Sequence, residues 1–229
     1  MSAVRPLVIS IALGLVVPLM GPTAKILDSA AAAQYRGPAL PQHIGHVWRG
    51  WTDTPQEKGF LAVASAEAQI ATWQSSLALE SGGDLNAMKT HAMGVLHAVD
   101  PSQAQDGPGM GYGLKKAAEG VVTHIELAAR LDSAHISVTT YAPRVAACAR
   151  NALERVDEIV SLVREIQAAS SASQADPLVE RLDMLANQVL DGSDADMDGR
   201  VSWREGGLWE AEDQMRLLMR SLPPPRPED

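Results

Sequence analysis

Aromatic side chains are scarce in this chain, 4% of 229 residues with a single Phe, three Tyr and five Trp. That scarcity, with few β-branched runs, excludes an all-β sandwich or barrel. The 46% hydrophobic content falls mainly to Ala, Leu and Val, which favour closely packed helices. Positive charge is in deficit, 19 Lys and Arg against 28 Asp and Glu for a net −9, which excludes a general nucleic-acid binder and makes cations the natural small partners. Cysteine occurs once, at Cys148, so no intramolecular disulfide forms, and no C-x-x-C-H run offers covalent haem attachment. Also missing are a G-x-S-x-G elbow and an H-E-x-x-H zinc helix. The Gly-rich run Asp106 to Gly113 lacks the Lys-Ser/Thr of a phosphate loop and reads as a helix connection. With no catalytic constellation legible, the chain reads as non-enzymatic.

Long hydrophobic runs are limited to the uncharged stretch from Leu7 to Met20. It is broken by Pro18 and too short to cross about 30 Å of hydrocarbon as a clean helix. Arg5 precedes it and the small residues Ala30 to Ala33 follow, the pattern of a secretory signal over residues 1–33. The alternative is an uncleaved N-terminal anchor, because Lys25 and Asp28 lengthen the spacer. Cleavage after Ala33 leaves a mature chain of charge about −10 with no stable membrane span. Its expected location is extracytoplasmic, periplasmic or secreted, where millimolar calcium can occur.

The mature sequence predicts an all-α protein: an antiparallel four-helix bundle over 54–169, then a helix pair over 176–222. An irregular lead-in (34–53), rich in Gly and Pro and holding His43, His46, Trp48 and Trp51, comes first. Thr54-Pro55-Gln56-Glu57 has the form of a capping box opening a helix that runs to Leu79 and stops at Gly82-Gly83. The second helix spans 85–99 and the third 114–131, where Leu114, Ala118, Val121, Ile125 and Ala128 form one apolar stripe. The fourth begins at Pro143 and carries Val145, Cys148, Ala152, Val156, Ile159, Val163 and Ile166. Ser170 to Gln174 reads as a linker. Leu178, Leu182, Leu185 and Val189 then mark one helix from Pro177 to Leu190, Trp209, Met215, Leu218 and Leu222 another from Trp203 to Leu222, and 223–229 is a Pro-rich solvated tail.

Between those two helices stands Asp194-Ala-Asp196-Met-Asp198-Gly199-Arg200-Val201-Ser202-Trp203-Arg204-Glu205. This segment resembles the twelve-residue EF-hand calcium loop at every diagnostic position. The resemblance implies Asp194, Asp196 and Asp198 as ligands at positions 1, 3 and 5, and Gly199 at the sharp turn. It implies the backbone carbonyl of Arg200 at position 7, Ser202 at position 9 directly or through water, and Glu205 closing the shell bidentately. The cofactor implied is Ca2+. Two departures weaken the site: no second loop is present to share a β contact through Val201, and Gly206-Gly207 weakens the outgoing helix by about 1 kcal/mol each relative to Ala. Affinity toward the extracellular range, about 10⁻⁴ to 10⁻³ M, is therefore expected. A homodimer pairing two loops, or another envelope protein, is the expected macromolecular partner if there is one.

A second reading, of another class, rests on histidine. If the helices at 85–99 and 114–131 form an antiparallel hairpin, His91 and His124 lie at one level, with Cys148 near the same height. Such a belt suits a transition-metal or haem carrier or redox bundle, with Met88, Met93 and Met110 as further thioether ligands. The plainer alternative makes the histidines boundary residues hydrogen-bonded locally, the methionines core fillers and Cys148 an inert buried thiol. His97 is expected to be solvated, and His43 and His46 share i, i+3 spacing within the lead-in.

Overall fold

In a computed structural model of the protein, residues 42–104, 106–132 and 134–222 are described. The expected signal sequence over 1–33, the first part of the lead-in and the tail lie outside them. The described chain is all-helical, with seven α-helices and no strand. We number them α1 (Gln42–Trp48), α2 (Phe60–Glu80), α3 (Leu85–Val99), α4 (Leu114–Leu131), α5 (Ile136–Ala168), α6 (Ala172–Asp191) and α7 (Leu208–Ser221). No helix among the described residues is long and apolar enough to cross a membrane.

The apolar stripes read in α4 and α5 face inward, with Leu114, Val121, Ile125, Val156, Ile159 and Ile166 all fully buried. The 33-residue α5 is the central strut and packs against α3, α4, α6 and α7. One core runs from Ile44 to Leu222, so α6 and α7 share it with the earlier helices. Where α7 meets α2, the Ser65 hydroxyl donates to buried Glu212 at 2.6 Å, and Arg216 approaches the other oxygen at 3.1 Å. Burial raises the Glu212 pKa above its ordinary 4.5, Asp213 adds to the rise, and Ser65 and Arg216 oppose it. A raised carboxylate stabilises the fold below its unfolded value and loses that contribution as pH climbs through its folded value. Glu212→Gln should therefore flatten the fall in Tm as pH rises from about 4.5 toward neutrality. An unchanged slope across that window would show that Glu212 does not set it.

Several boundaries differ from the sequence reading. The lead-in is not wholly irregular, because Ile44 and Val47 are fully buried and fix α1. Thr54 does not cap a helix at Pro55. Its hydroxyl donates to Trp51 O at 2.7 Å, and Gln56 and Glu57 adopt φ of 57° and 53°, so only a 3₁₀ turn forms before α2 starts at Phe60. Gly59 makes this detour possible: a Cβ there would sit 2.6 Å from Val47 O. α5 begins at Ile136, not Pro143. The proline is exposed while Ser137, Val138 and Ala142 bury the preceding turns, so packing offsets the roughly 3 kcal/mol cost of an interior proline. Likewise α6 runs through Pro177 from a Ser171 cap that accepts from Gln174 N at 3.3 Å, leaving no linker at Ser171 to Gln174. The outgoing helix begins at Leu208 rather than Trp203.

The largest correction concerns topology. α2 and α5 each pack against both α3 and α4, whereas α3 and α4 scarcely touch one another. They occupy opposite corners of the arrangement, so the hairpin assumed for them does not form. The connection between them is held by Glu67. This fully buried carboxylate accepts from Met110 N at 3.1 Å on each oxygen, and through Oε1 from Tyr112 N at 3.3 Å and Gly113 N at 3.0 Å. The Gly-rich loop thus does cradle an anion, the protein's own, through a nest of backbone amides. Gly109, at φ 137°, belongs to it: a Cβ there would lie 2.8 Å from Glu67 Oε2. The same loop buries His97, whose Nδ1 lies 2.9 Å from Pro108 O, so His97 is not solvated.

Candidate functional site

The acidic loop sits between α6 and α7, with Gly192 (φ 83°) ending α6 and Gly199 (φ 85°) making the turn midway. Alternating Asp residues fold their carboxylates back on the backbone. Asp194 accepts from Asp198 N at 3.0 Å and Gly199 N at 2.9 Å, Asp196 from Asp198 N at 3.2 Å, and Asp198 from Arg200 N at 2.8 Å. These turns bring oxygens of Asp194, Asp196 and Asp198 within 4.8 Å of one another. Two ligands on a calcium ion with bonds of about 2.3–2.6 Å can be at most about 5 Å apart, so the three oxygens fit one coordination sphere.

Glu205 stands outside this group of three. Its Oε1 accepts from Ala195 N at 2.9 Å and Asp196 N at 3.0 Å, and its Oε2 lies 3.4 Å from both the amide and the hydroxyl of Ser202. The hydrogen bond donated by the Asp196 amide, aided by those from Ser202 and Ala195, holds its pKa below the usual carboxylate value. The carboxylate thereby ties the end of the loop to its beginning. Arg200 is exposed, as is Val201, which pairs with no strand among the described residues.

The loop rests on α5 through a row the sequence reading passed over. Cys148 Sγ donates to Trp203 O at 3.2 Å, Asn151 donates to Arg204 O at 2.9 Å and Gly206 O at 3.1 Å, and Arg155 donates to Ser193 Oγ at 3.0 Å. Their i, i+3, i+7 spacing puts them on one helix face, a signal present in the sequence but masked by the apolar stripe beside it. Gly206 and Gly207 have a purpose here beyond weakening a helix. A Cβ on Gly207 would collide with the last carbonyls of α6, including Leu190 O at 2.5 Å, so Gly207 lets the loop return against the end of α6, while a Cβ on Gly206 would meet the Glu210 side chain at 2.5 Å. Burial pushes the Cys148 thiol up to about 12, with Glu210 adding to it, so the thiolate that would ligate a metal is suppressed.

The histidine belt is not assembled as expected. His91 Nδ1 lies 3.1 Å from Gln74 Oε1, Cys148 is committed to the loop, and these two do not join His124 in a ligand group. The diagonal placement of α3 and α4 parts His91 from His124, while Cys148, on a helix that does pack against α4, is turned to the acidic loop instead. His124 instead meets the two histidines of α1: its Nδ1 is 3.0 Å from His43 Nδ1 and 3.1 Å from His46 Nδ1. All three rings are half-buried. Burial, reinforced by His46 and His43, lowers the His124 pKa to about 4, and burial together with His43 lowers that of His46.

Comparison with protein-family models, curated proteins and solved structures finds no match to this chain. The functional reading therefore rests on the geometry of these two clusters.

Proposed function

We propose that the chain is a calcium-binding helical protein of an extracytoplasmic compartment, without catalytic activity, in which one EF-hand-like loop over 194–205 holds the ion. The observation that carries this reading is the convergence of Asp194, Asp196 and Asp198 oxygens within 4.8 Å on a loop turned by Gly199. The Arg200 carbonyl, Ser202 and Glu205 complete the ligand set, Glu205 exchanging its bonds to Ala195 N and Asp196 N for the ion.

Calcium acts here as a staple. Both α6 and α7 pack chiefly on α5 within one shared core, which holds the pair closed against the opening that a switch needs. The ion neutralises carboxylates that repel one another, and the settled loop presses Trp203 and Arg204 onto Cys148 and Asn151. Cys148 reports this docking directly, since it is fully buried under the loop. With calcium at 10 mM and a Kd of about 10⁻⁴ to 10⁻³ M, alkylation of Cys148 by iodoacetamide should slow by about 10- to 100-fold relative to chelator-treated protein. Asp198→Ala should abolish the difference. Equal labelling rates with and without calcium in the unmutated chain would rule out the staple.

A further inference from the structure

We propose that His43, His46 and His124 form a second metal site, for a borderline divalent transition-metal ion of the zinc class bound through three Nδ1 atoms. It is independent of the calcium reading, because calcium takes oxygen ligands whereas imidazole nitrogen suits zinc, copper and nickel.

The argument starts from proton bookkeeping. An imidazole nitrogen carries either one N–H or one lone pair. His124 Nδ1 has a second Nδ1 at 3.0 Å and a third at 3.1 Å, so one proton or one lone pair on it makes a proper hydrogen bond with only one neighbour. Protonating the rings to supply more donors sets positive charges against each other in a half-buried position. A cation resolves the conflict by accepting all three lone pairs, leaving each Nε2 to carry its ring's proton. The spacing fits: tetrahedral bonds of about 2.0–2.1 Å place ligand nitrogens about 3.3 Å apart, within a few tenths of an ångström of both measured contacts. One ring nitrogen from each of the three histidines lies within 4.8 Å of one from both of the others.

The scaffold around the cluster is built for position. His43 and His46 are one turn apart on α1, and Ile44 and Val47 between and beside them are fully buried, fixing which face α1 turns to α4. The Phe60 ring stacks on His124 with centroids 5.1 Å apart, and Trp51 lies 4.3 Å from the His46 ring. Gly120, one turn before His124, is placed where any Cβ would collide with the Phe60 ring, which accounts for a glycine inside α4. Three nitrogen ligands with a partly exposed face leave the fourth position to water or an incoming ligand.

The test is a calorimetric titration of the chelator-stripped full chain with Zn2+ at saturating calcium, which keeps the acidic loop occupied. Alongside it, the histidine ring nitrogens are followed by ¹⁵N NMR. One equivalent of zinc should bind, with Nδ1 rather than Nε2 resonances shifting in all three rings. Because loss of an outer-shell partner alone costs 10- to 100-fold in affinity, His43→Gln or His124→Gln should weaken binding by about 100-fold or more. Asp198→Ala should leave it unchanged. His43→Gln guards against misfolding in the α4 variant, and circular dichroism checks both. No saturable zinc binding, or zinc binding that survives both histidine substitutions, would overturn the proposal.

Discussion

Glu67→Ala is expected to lower the unfolding free energy by about 3 kcal/mol or more. The substitution leaves the N–H groups of half-buried Met110 and of buried Tyr112 and Gly113 without their acceptor, and an orphaned buried donor costs about 1–3 kcal/mol. For a chain of this length that corresponds to a fall in Tm of about 6–12 °C. Glu67→Gln keeps one acceptor oxygen and should lose about half as much. The damage should be local in origin: the 106–113 connection loosens first and uncovers His97, so amide exchange should rise there before it rises in α5. Chemical denaturation of the two variants gives the comparison, and a change below about 0.5 kcal/mol for Glu67→Ala would mean the loop is held by something other than this carboxylate.

The second large effect is calcium-dependent stability. An ion that binds only the folded chain adds RT ln(1 + [L]/Kd), which at 10 mM calcium and a Kd of about 10⁻⁴ to 10⁻³ M amounts to about 1.4–2.7 kcal/mol. The expected rise in Tm is about 3–11 °C. It should saturate with calcium concentration and be smaller with magnesium, which demands near-ideal octahedral geometry and sheds its waters reluctantly. Because one core links the loop's flanking helices to the rest, the whole chain should melt at the higher temperature rather than the α6–α7 pair alone.

What the sequence made legible followed from local periodicity. The stripes in α4 and α5 are buried as their spacing implies, from Leu114 to Ala128 and from Val145 to Ile166. The break between α6 and α7 and the positive φ at Gly199 also follow from a local signal, the alternation of Asp and Gly. What escaped was set at long range. Pro143 and Pro177 looked like helix starts because burial of the turns before them cannot be seen from the prolines themselves. α1 looked like a loop, although its His43, Ile44, His46 and Val47 already carried helical spacing. Glu67 was a lone acid among Ala64, Ala68 and Ala71, a visible oddity whose partners lie more than forty residues away. The histidine pairing failed for one reason: it assumed that helices consecutive in sequence are neighbours in space, and α3 and α4 are not. His124 sits at a half-buried boundary position, as its spacing implies, but its companions are His43 and His46 rather than His91 and Cys148.

Calorimetric titration of the chelator-stripped chain with calcium, beside Asp198→Ala, bears most directly on the central claim. The account predicts one equivalent of saturable binding in the unmutated chain, with a Kd of about 10⁻⁴ to 10⁻³ M, and none in the variant at the same concentrations. Absence of binding up to several millimolar, or equal binding in the variant, would contradict it.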